Sequence, residues 1–546
     1  MMDVPLNSWL LFSHAATHFS GVEVVTRLVG GEVHRYTYAD FARRAQQLMH
    51  ALDRLGIGEG ERVATLGWNG YRHLECYFGV PCTGRVLHTL NARLSPAELG
   101  WIIADADDRA IFVDADLLPL LEQVPERDLR GVRHIVVFSG TVPGSCLPGV
   151  ISYEDLISTE PGAYPRRPVD ERAPLGICYT SGTTGKPKGV VYTHRSTVLH
   201  SFAVSSGAGM GIGPGDCVLP VVPMFHANAW GMPHAATAVG AKQVFLAGPF
   251  DAAAMTEMCA QEQVTVTAGV PTVWLAVADE LARQPRPLPA LRHVFCGGSQ
   301  PPRALIERYL REFGVELVQV WGMTETSPLA SVAWPVHAMR GWEPGRVITR
   351  ARTQAGLPIP GVDVSIRDAS GRDVQFDGVT MGDLYVRGPW VADGYWKGAG
   401  AEQFGEDGWF RTGDVAIGSP DGYFVIADRS KDLIKSGGEW ISSVDMEADI
   451  MAMPGVAEAA VVAVPDPKWQ ERPLAFIVPG ADGDHEVNGD HEGNGGVTLD
   501  AVRGHLESRG WARWQLPDRV EIIDRIPVTS VGKFDKKVLR ARLAGS

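Results

Sequence analysis

The first two thirds of the chain alternate between short apolar runs and segments whose apolar residues recur at helical spacing. Residues 62–67, 110–114 and 134–138 have the length and the apolar, β-branched character of buried strands. Residues 43–55 carry apolar residues at helical spacing before a glycine, and residues 5–60 as a whole are predicted to be largely helical. Strands and helices in alternation are typical of an α/β fold, so we expect mostly parallel sheets.

The last third of the chain is predicted to contain smaller units. Residues 382–389 alternate between polar and apolar positions, as a half-buried strand of a small β-subdomain does. Residues 459–464 and 519–523 are predicted strands on either side of a helix over residues 499–509, which indicates a βαβ unit. Residues 482–496 consist mostly of Gly, Asp, His, Glu and Asn, a composition typical of a disordered surface insert.

Composition narrows the class of protein. At 546 residues, with 45% hydrophobic and 21% charged residues, the chain is expected to form a soluble globular protein with more than one domain. Its net charge of −14 argues against a nucleic-acid binder, although local lysines can still hold an anionic ligand. Seven scattered cysteines without a C-x-x-C pair indicate reduced thiols and a cytoplasmic location. We expect neither a signal peptide nor a transmembrane segment.

A loop rich in glycine and hydroxyl groups, residues 179–189, lies between two predicted strands. Glycines let backbone N–H groups turn towards a guest, and lysines and hydroxyls add charge and donors, which suits phosphate oxygens. A flexible hairpin tip would not need this density of such groups. The spacing is not that of a Walker loop, because Gly182 and Gly185 are too close and Pro187 follows Lys186. The residues expected to bind phosphate are Thr180, Ser181, Gly182, Thr183, Thr184 and Lys188.

A second polar cluster ends the predicted strand that contains Gln319. Trp321 can stack on a purine, and Thr324, after Gly322, can bond a phosphate. Glu325 can hold Mg²⁺ together with phosphate oxygens; otherwise it is a solvated loop acid.

Two further strand ends carry candidate binding groups. The apolar run 219–225 is followed by His226, Asn228 and Trp230, and binding groups in α/β sheets often lie at strand ends. Alternatively, His226 is a core histidine bonded to backbone and Trp230 is part of the core. Gly298 follows another predicted strand, where backbone can approach a flat ligand closely, although an ordinary strand–helix turn also explains it.

The phosphate loop and the segments around His226 and Glu325 resemble the sequence motifs of the adenylate-forming superfamily, which includes acyl-CoA synthetases, luciferases and peptide-synthetase adenylation domains. Residues 222–226, 321–328 and 435–443 are most similar to bacterial long- and medium-chain fatty acyl-CoA synthetases. Trp321 is a departure, since tyrosine is commoner at that position of the family. The resemblance covers nearly the whole chain. It implies a large N-terminal domain over residues 1–427, built from parallel-sheet α/β subdomains and a β-subdomain, and a small mobile α+β C-terminal domain over residues 428–546.

The resemblance implies that ATP and Mg²⁺ activate a fatty acid to acyl-AMP, which coenzyme A then converts to acyl-CoA. Thr180 and Glu325 would hold the metal, and Lys533, in a Pro-x-Thr-x-x-Gly-Lys pattern, would enter the site for adenylation. His226 and Trp230 would lie at the acyl pocket, with His226 counted among the catalytic residues. The remaining nucleotide-binding residues would be Gly298, Gln319, Trp321, Gly322, Thr324, Asp414, Arg429, Lys431, Lys435 and Trp440.

The resemblance also assigns parts to the C-terminal segment. Asp428 would be the hinge between the two domains, and Asp414 would accept hydrogen bonds from the ribose diol, although an Asx turn also explains Asp414. Gly437 and Gly438 would line the passage for the pantetheine arm. A homodimer is expected by the same resemblance.

Three alternatives stay open at this point. The acid could be short or aromatic rather than a fatty acid, and the acceptor could be an amine instead of coenzyme A. The chain could also be a nucleotide sensor without activity, against which the presence of Lys533, Glu325 and Asp414 argues.

Overall fold

A computed structural model describes residues 2–180, 186–429, 432–436, 439–480, 497–528 and 534–544. The chain forms two compact units, which are described separately. The first unit comprises Met1–Asp363 and Val386–Phe410, and the second comprises Val364–Tyr385 and Arg411–Ser546. Mixed, mainly parallel sheets with helices confirm the predicted α/β class. The domain boundary expected at Asp428 stays a prediction.

The first unit contains two large sheets. Its strands are β1 (Glu23–Arg27), β2 (Val33–Thr37), β3 (Arg62–Leu66), β4 (Val86–Thr89), β5 (Asp108–Val113), β6 (His134–Val137), β7 (Val150–Ser152), β8 (Pro174–Tyr179), β9 (Gly189–Thr193), β10 (Cys217–Pro220), β11 (Lys242–Leu246), β12 (Val266–Gly269), β13 (His293–Cys296), β14 (Glu316–Gly322), β15 (Leu329–Val332) and β16 (Leu357–Pro358). Within the described residues, one sheet has the order β16-β15-β14-β13-β12-β10-β11-β1-β2 and the other β7-β6-β5-β3-β4-β8-β9.

Strands inside both sheets run parallel, and the antiparallel pairs lie towards the edges. In the larger sheet β10 to β14 are parallel, while β15 runs antiparallel to β14 and β2 to β1. In the smaller sheet β9 closes one edge as the antiparallel partner of β8. The carboxyl ends of the parallel strands therefore meet along one edge of each sheet, where α/β proteins hold their ligands.

Helices cover and separate these sheets. In the first unit they span Ser8–His18, Tyr38–Arg54, Tyr71–Gly79, Pro96–Ala106, Leu118–Leu121, Tyr153–Ser158, His194–Ser205, Met232–Val239, Ala252–Gln261, Pro271–Arg283, Arg303–Arg308 and Pro344–Val347. Several begin at the capping residues expected of a helix start, as Thr37 and Asp40 do in a reciprocal capping box. No helix among the described residues is long and apolar enough to cross a membrane.

The largest core of the first unit joins the two sheets. Helices Ser8–His18, Tyr38–Arg54 and Tyr71–Gly79 contribute most of its buried side chains. Phe245 of β11 reaches this core from the larger sheet, and Leu87 of β4 reaches it from the smaller one. The three helices therefore form a layer between the sheets, and strand ends from both sheets are fixed to one apolar body.

One local prediction is wrong. Residues 5–60 were expected to be largely helical, but β1 and β2 form an antiparallel hairpin inside this stretch. The central residues of β1 are buried because β1 lies parallel to β11, more than two hundred positions away. A partner so distant leaves no local signal beyond the short β-branched run Val24-Val25-Thr26.

The second unit contains two smaller sheets. Its strands are β17 (Asp363–Arg367), β18 (Met381–Arg387), β19 (Phe410–Gly418), β20 (Phe424–Arg429), β21 (Ile434–Ser436), β22 (Glu439–Ile441), β23 (Val456–Asp466), β24 (Gln470–Pro479) and β25 (Arg519–Ile522). Within the described residues, β17-β18-β19-β20 form one sheet and β22-β21-β24-β23 the other, in which β25 also pairs with β24. Its helices span Ser443–Met451, Leu499–Ser508 and Lys536–Ala544.

The predicted βαβ unit is present with a different first strand. The strand parallel to β25 is β24, whereas β23, which contains residues 459–464, is antiparallel to β24. The sequence pattern missed β24, which lies next to the segment 481–496. That segment, with the predicted surface insert 482–496, lies outside the described residues.

Candidate active site

The strands β8 and β9 hold the two ends of the predicted phosphate loop together. Their antiparallel ladder continues into Thr180, whose N–H donates to the main-chain oxygen of Lys188 at 2.9 Å. The N–H of Lys188 donates in return to Oγ1 of Thr180 at 3.2 Å. Ser181, Gly182, Thr183 and Thr184 lie outside the described residues. The hairpin therefore fixes the hydroxyl of Thr180 opposite Lys188, as the strand pattern predicts.

Four side chains of the first unit form a connected set, which we call the Tyr395 group: Lys188, Glu325, Tyr395 and Gln403. The hydroxyl of Tyr395 donates a 2.5 Å hydrogen bond to Oε1 of Glu325. Nζ of Lys188 lies 4.8 Å from the ring centroid of Tyr395 and donates to Oε1 of Gln403 at 2.9 Å. The structure thus brings the predicted phosphate lysine and the predicted metal ligand onto one tyrosine.

The carboxylate of Glu325 is buried, with 6% of the residue exposed. Glu325 lies in the 3-10 turn Thr324–Thr326, which directly follows β14. The hydroxyl of Tyr192 donates to the main-chain oxygen of Thr324 at 2.8 Å, and the N–H of Ala392 donates to that of Glu325 at 2.8 Å. A solvated loop acid would not be enclosed in this way, so its placement agrees with a binding role.

The end of β14 is shaped by close backbone packing. A Cβ at Gly322 would lie 1.8 Å from the main-chain oxygen of Pro328, so no other residue fits there without backbone movement. Gln319, on the same strand, is 5% exposed, and within the described residues its Oε1 has no hydrogen-bond partner. An unpaired buried oxygen of this kind costs free energy unless a ligand satisfies it. Trp321 is partly exposed beside it.

A left-handed turn, residues 227–231, lies between β10 and the helix Met232–Val239. The φ angles of Ala227, Asn228, Ala229 and Trp230 are 43°, 54°, 50° and 56°, and that of Gly231 is 75°. The left-handed conformation costs a residue other than glycine about 1–2 kcal/mol. Four such residues in succession persist only where the surroundings hold them, and such strain concentrates at functional sites.

Two side chains that follow β3 in the chain, one in a loop and one on the helix Tyr71–Gly79, hold the segment that enters this turn. The Asn69 amide donates to the main-chain oxygens of Pro220 and Val222, both at 3.0 Å, and accepts from the N–H of Met224 at 2.6 Å. The hydroxyl of Tyr77 donates to the main-chain oxygen of Met224. Asn69 follows β3, so its amide fixes the run before His226 from the opposite sheet.

Trp230 and His226 occupy different settings on this turn. A Cβ at Gly297 would lie 3.0 Å from Cη2 of Trp230, so the indole covers the glycine that follows β13 and precedes Gly298. Gly298 itself has a φ of 82°, which favours glycine. The N–H of His226 donates to the main-chain oxygen of Pro223 at 2.9 Å, and its side chain is half-buried.

His200 connects the left-handed turn to the loop after Glu325. Its Nε2 accepts a 3.0 Å hydrogen bond from the N–H of Leu329, and its Cε1 lies 2.5 Å from where a Cβ at Gly231 would be. Burial lowers the pKa of His200 to about 3. The imidazole is therefore neutral near pH 7 and acts as an acceptor.

Comparison with known proteins identifies the family. The model of the family described as AMP-binding enzyme matches residues 12–396, and that of the AMP-binding enzyme C-terminal domain matches residues 445–533. The chain belongs to the AMP-binding enzyme family. The predicted membership of the adenylate-forming superfamily is confirmed.

Curated relatives of this AMP-binding enzyme are similar over almost their whole length. It is 48% identical to a long-chain-fatty-acid–CoA ligase of Thermus thermophilus, over 99% of this chain and 96% of the relative. It is 40% identical to a 3-methylmercaptopropionyl-CoA ligase of Ruegeria lacuscaerulensis, over 99% of this chain and 98% of the relative. It is 37% identical to a medium-chain-fatty-acid–CoA ligase of Ectopseudomonas oleovorans, over 97% of this chain and 95% of the relative.

Solved structures support the fold of the AMP-binding enzyme. An anthranilate CoA ligase, AuaEII, in complex with anthranoyl-AMP superposes with a TM-score of 0.85 at 23% identity. That match covers 100% of this chain and 99% of the other. At this identity the likeness shows the fold alone.

The second unit of the AMP-binding enzyme carries further predicted residues. Asp414 is 3% exposed, and its Oδ1 lies 2.8 Å from Nε of Arg429. Asp414 was expected at a glycine turn, but it lies inside β19, paired in register with Arg429 of β20. Two residues predicted to bind nucleotide therefore bind each other in this structure. Nζ of Lys435 lies 5.5 Å from the ring centroid of Trp440.

The predicted hinge residue is buried in the same unit. Oδ2 of Asp428 accepts from the N–H of Ser443 at 2.8 Å and from the hydroxyl of Ser443. Nζ of Lys536 lies 2.7 Å from Oε1 of Glu447 and donates to the same hydroxyl at 2.6 Å. Burial raises the pKa of Asp428, and the positive charge of Lys536 reduces this rise without cancelling it. Lys431, Gly437, Gly438 and Lys533 lie outside the described residues.

The carboxylate of Glu325 suits Mg²⁺ that arrives with a nucleotide better than it suits a metal ion held by protein groups alone. Mg²⁺ is ordinarily bound through one or two carboxylates together with substrate phosphates and water. The described residues contain no group of three or more His, Cys, Asp and Glu side chains placed to hold a metal. One buried carboxylate, one threonine hydroxyl and a phosphate lysine suit a metal that arrives with a nucleotide.

Sequence reasoning missed several residues that build the site: Asn69, Tyr77, His200, Tyr395 and Gln403. Tyr395 is 70 positions from Glu325, and Asn69 is 155 positions from Met224. No local pattern marks such partners. The one available signal at Tyr395 was the aromatic pair Tyr395 and Trp396 between glycines.

Proposed function

We propose that this AMP-binding enzyme activates a medium- or long-chain fatty acid with ATP and transfers the acyl group to coenzyme A. The observation that carries this proposal is the 48% identity, over 99% of the chain, to a long-chain-fatty-acid–CoA ligase. The meeting of Lys188 and Glu325 at Tyr395 supports it, because adenylation needs charge at the phosphates and a site for the metal.

The reaction has two steps. A carboxylate oxygen of the acid attacks the α-phosphorus of ATP, and the bond to the β-phosphate oxygen breaks, which gives acyl-AMP and pyrophosphate. The thiol sulfur of coenzyme A then attacks the acyl carbon, and the bond to the AMP oxygen breaks. The thiol proton leaves for water, and the products are acyl-CoA and AMP.

Residues of the first unit position the reactants of the first step. Lys188 and the hydroxyl of Thr180 would contact the phosphates, and Glu325 with Thr180 would hold Mg²⁺, which would neutralise phosphate charge when bound. Gln319, Trp321, Gly322, Thr324 and Gly298 border the adenine and α-phosphate. His226 and Trp230 border the carboxylate and the start of the acyl chain.

The second unit supplies the remaining groups of the proposal. Asp414 and Arg429 separate from each other so that Asp414 accepts the ribose hydroxyls. Lys533 would supply a positive charge to the carboxylate and the α-phosphate during adenylation. As the resemblance implies, Asp428 would be the hinge of the C-terminal domain between the two steps, and Gly437 and Gly438 would line the passage for the pantetheine arm. Lys431, Lys435 and Trp440 contact the nucleotide.

A short acid is the second candidate substrate. A short acid is favoured by the 40% identity to a 3-methylmercaptopropionyl-CoA ligase, because that relative is named for a short acyl group. The chemistry at ATP would be the same, and only the depth of the acyl pocket would differ.

Assembly and location are part of the proposal. We expect a homodimer, as the resemblance implies. We also expect a cytoplasmic location, which agrees with seven cysteines that form no disulfide, six of them buried. Analytical ultracentrifugation of the full chain measures the assembly directly, and a monomer across micromolar concentrations would contradict the dimer.

Exchange of radioactive pyrophosphate into ATP across a panel of acids tests the activity. The panel contains acetate, 3-methylmercaptopropionate, octanoate, palmitate and benzoate, each with and without Mg²⁺. We expect exchange that depends on the acid and on Mg²⁺, fastest with octanoate or palmitate. Fastest exchange with 3-methylmercaptopropionate or acetate would select the second candidate, and no exchange with any acid would contradict both.

A further inference from the structure

Tyr395 contacts two groups to which the proposed function assigns different tasks. Its hydroxyl donates to Oε1 of Glu325 at 2.5 Å, while its ring carries Nζ of Lys188 at 4.8 Å. The residue is 6% exposed, and its ring packs against Phe404 at a centroid distance of 5.4 Å. A β-bridge pairs its backbone with Val190 of β9. The position of the hydroxyl is therefore set by the fold on several sides.

We propose that Tyr395 is a positioning residue that orients the carboxylate of Glu325 for metal-dependent binding of the nucleotide. The inference rests on the proposed function, because it takes Glu325 as the metal ligand. A ligating carboxylate is ordinarily oriented by a hydrogen bond from a neighbouring group, and loss of such a partner weakens metal binding about 10–100-fold. The bond from Tyr395 engages Oε1 and thereby restricts the orientation of the carboxylate.

The ring and the hydroxyl of Tyr395 have separable effects. A cation over an aromatic face is held by the charge distribution of the ring, which phenylalanine retains. Lys188 is anchored on this face and by Gln403 at 2.9 Å, and Glu402 lies 4.0 Å from its ammonium. Tyr395→Phe therefore removes the contact with Glu325 and keeps the support of Lys188. Tyr395→Leu removes both.

Simple packing is the competing explanation. Tyr395, Cys178, Val190 and Tyr192 form one small apolar cluster, to which Phe404 is attached. If the ring only fills this cluster, phenylalanine serves equally well and the hydroxyl has no effect on metal binding. A measurement of metal dependence separates the two explanations, because packing does not respond to Mg²⁺.

The test measures binding rather than turnover. The probe is an ATP analogue with a methylene group between the α- and β-phosphates, which cannot release pyrophosphate. Calorimetry gives its Kd in EDTA and at increasing Mg²⁺, and electron paramagnetic resonance gives the binding of Mn²⁺ in its presence. The proteins are the wild type, Tyr395→Phe, Tyr395→Leu, Glu325→Gln and the double variant Tyr395→Phe with Glu325→Gln.

Tyr164→Phe is the matched control. Its hydroxyl also donates to a carboxylate, Oδ2 of Asp53 at 2.9 Å, in a part of the first unit with no assigned role in binding. Thermal unfolding of each variant checks the fold, and Tyr395→Phe is expected to unfold within a few degrees of the wild type because its ring contacts remain.

We expect Tyr395→Phe to need about 10-fold more Mg²⁺ or Mn²⁺ for half-maximal binding, with an unchanged Kd in EDTA. Tyr164→Phe is expected to behave as the wild type. In the Glu325→Gln background Tyr395→Phe is expected to add nothing, since it acts through that carboxylate. Tyr395→Leu is expected to lose metal binding to the same extent and, in addition, to bind the analogue more weakly in EDTA.

Two results would overturn different parts of the account. Wild-type metal dependence in Tyr395→Phe, beside a weakened Glu325→Gln, would overturn the role of Tyr395 and leave the proposed function intact. Wild-type metal dependence in Glu325→Gln as well would remove Glu325 from the metal site and count against the proposed function. If neither Tyr395 variant unfolds cooperatively, Glu325→Asp carries the test, because its shorter side chain keeps the carboxylate but withdraws it from the hydroxyl of Tyr395. Wild-type metal dependence in Glu325→Asp would then overturn the inference.

Discussion

In the left-handed turn the backbone itself is buried and strained, whereas the Tyr395 group consists of side chains and extends from the buried pair Glu325 and Tyr395 to the partly exposed Lys188. Ala227, Asn228, Ala229 and Trp230 are all under 9% exposed, with φ between 43° and 56°. The side chain of Lys188 is 29% exposed, and that of its neighbour Glu402 is 77% exposed. Both features lie in the first unit, and the proposed function assigns the turn to the acid and the Tyr395 group to the nucleotide.

The difference lies in what can replace each set of contacts. Four strained residues cost about 4–8 kcal/mol in total, and only fixed packing and buried hydrogen bonds offset this. Contacts such as that of Lys188 with Gln403 can be exchanged for contacts with phosphate at small cost. We therefore expect changes around the turn to act on stability, and changes in the Tyr395 group to act on binding of the nucleotide.

The largest effect is expected for Gly231→Ala. Its φ of 75° disfavours any side chain, and the new Cβ would lie 2.5 Å from Cε1 of His200. We predict a loss of about 4 kcal/mol in the free energy of unfolding, measured by urea titration. The control is Gly211→Ala, where φ is 64° and nothing lies within 4 Å of the added carbon. That variant should lose only about 1 kcal/mol, and equal losses would show that the contact with His200 is unimportant.

The next effect is expected for Asn69→Ala. The change removes three hydrogen bonds and leaves two buried main-chain oxygens and one N–H without their partner. We predict a loss of about 3 kcal/mol in the free energy of unfolding, and a weaker affinity for the acid only as a consequence. Asn91→Ala, which loses one exposed contact, is the control and should change stability by less than about 0.5 kcal/mol. Wild-type stability of Asn69→Ala would contradict the difference between the two regions, because the left-handed turn would then not depend on the hydrogen bonds of Asn69.

A pH-dependent effect is expected from His200. Its pKa is about 3 in the folded protein and 6.5 in the unfolded chain, so only the unfolded chain takes up a proton between these values. The folded protein therefore has its full stability with respect to His200 above pH 6.5 and loses stability as the pH falls towards 3. At pH 5 the loss in the free energy of unfolding amounts to about 2 kcal/mol. His200→Gln should remove this part of the pH dependence, seen as a wild-type advantage that shrinks by about 2 kcal/mol between pH 7 and 5. A constant difference between the two proteins would contradict the buried, neutral imidazole.

The smallest effect on stability is expected for Lys188→Met. Its contacts with Gln403 and the ring of Tyr395 are partly exposed, so the free energy of unfolding should change by less than about 1 kcal/mol. Affinity for the ATP analogue should nevertheless fall about 10-fold, because a phosphate contact is lost. Lys468→Met is the control, since Lys468 also lies over an aromatic ring, at 4.5 Å from Trp469. Equal affinity losses in both variants would remove Lys188 from the phosphate site.

The sequence predicted those parts of the site that local pattern determines. The strands on both sides of the phosphate loop, β8 and β9, lie next to each other in the chain, so the hairpin around Thr180 and Lys188 was predictable. The strand that delivers Glu325, β14, was predictable for the same reason, since it pairs with β15, the next strand of the chain.

Features set by distant partners were not predictable. The β1–β2 hairpin depends on β11, the left-handed turn on Asn69 and His200, and the setting of Glu325 on Tyr395. Asp414 was expected at a turn because Gly413 precedes it, yet its pairing with Arg429 places it within a strand. In each case the deciding contact joins residues that no short motif links.

The most direct test of the whole account is the product analysis of one reaction. Purified full-length protein is incubated with palmitate, ATP, Mg²⁺ and coenzyme A, and thioester and nucleotides are quantified by mass spectrometry. The account predicts palmitoyl-CoA, AMP and pyrophosphate in equal amounts, none of them without the acid, and palmitoyl-AMP when coenzyme A is left out. Formation of ADP and phosphate, or palmitoyl-AMP that persists unchanged in the presence of coenzyme A, would contradict it.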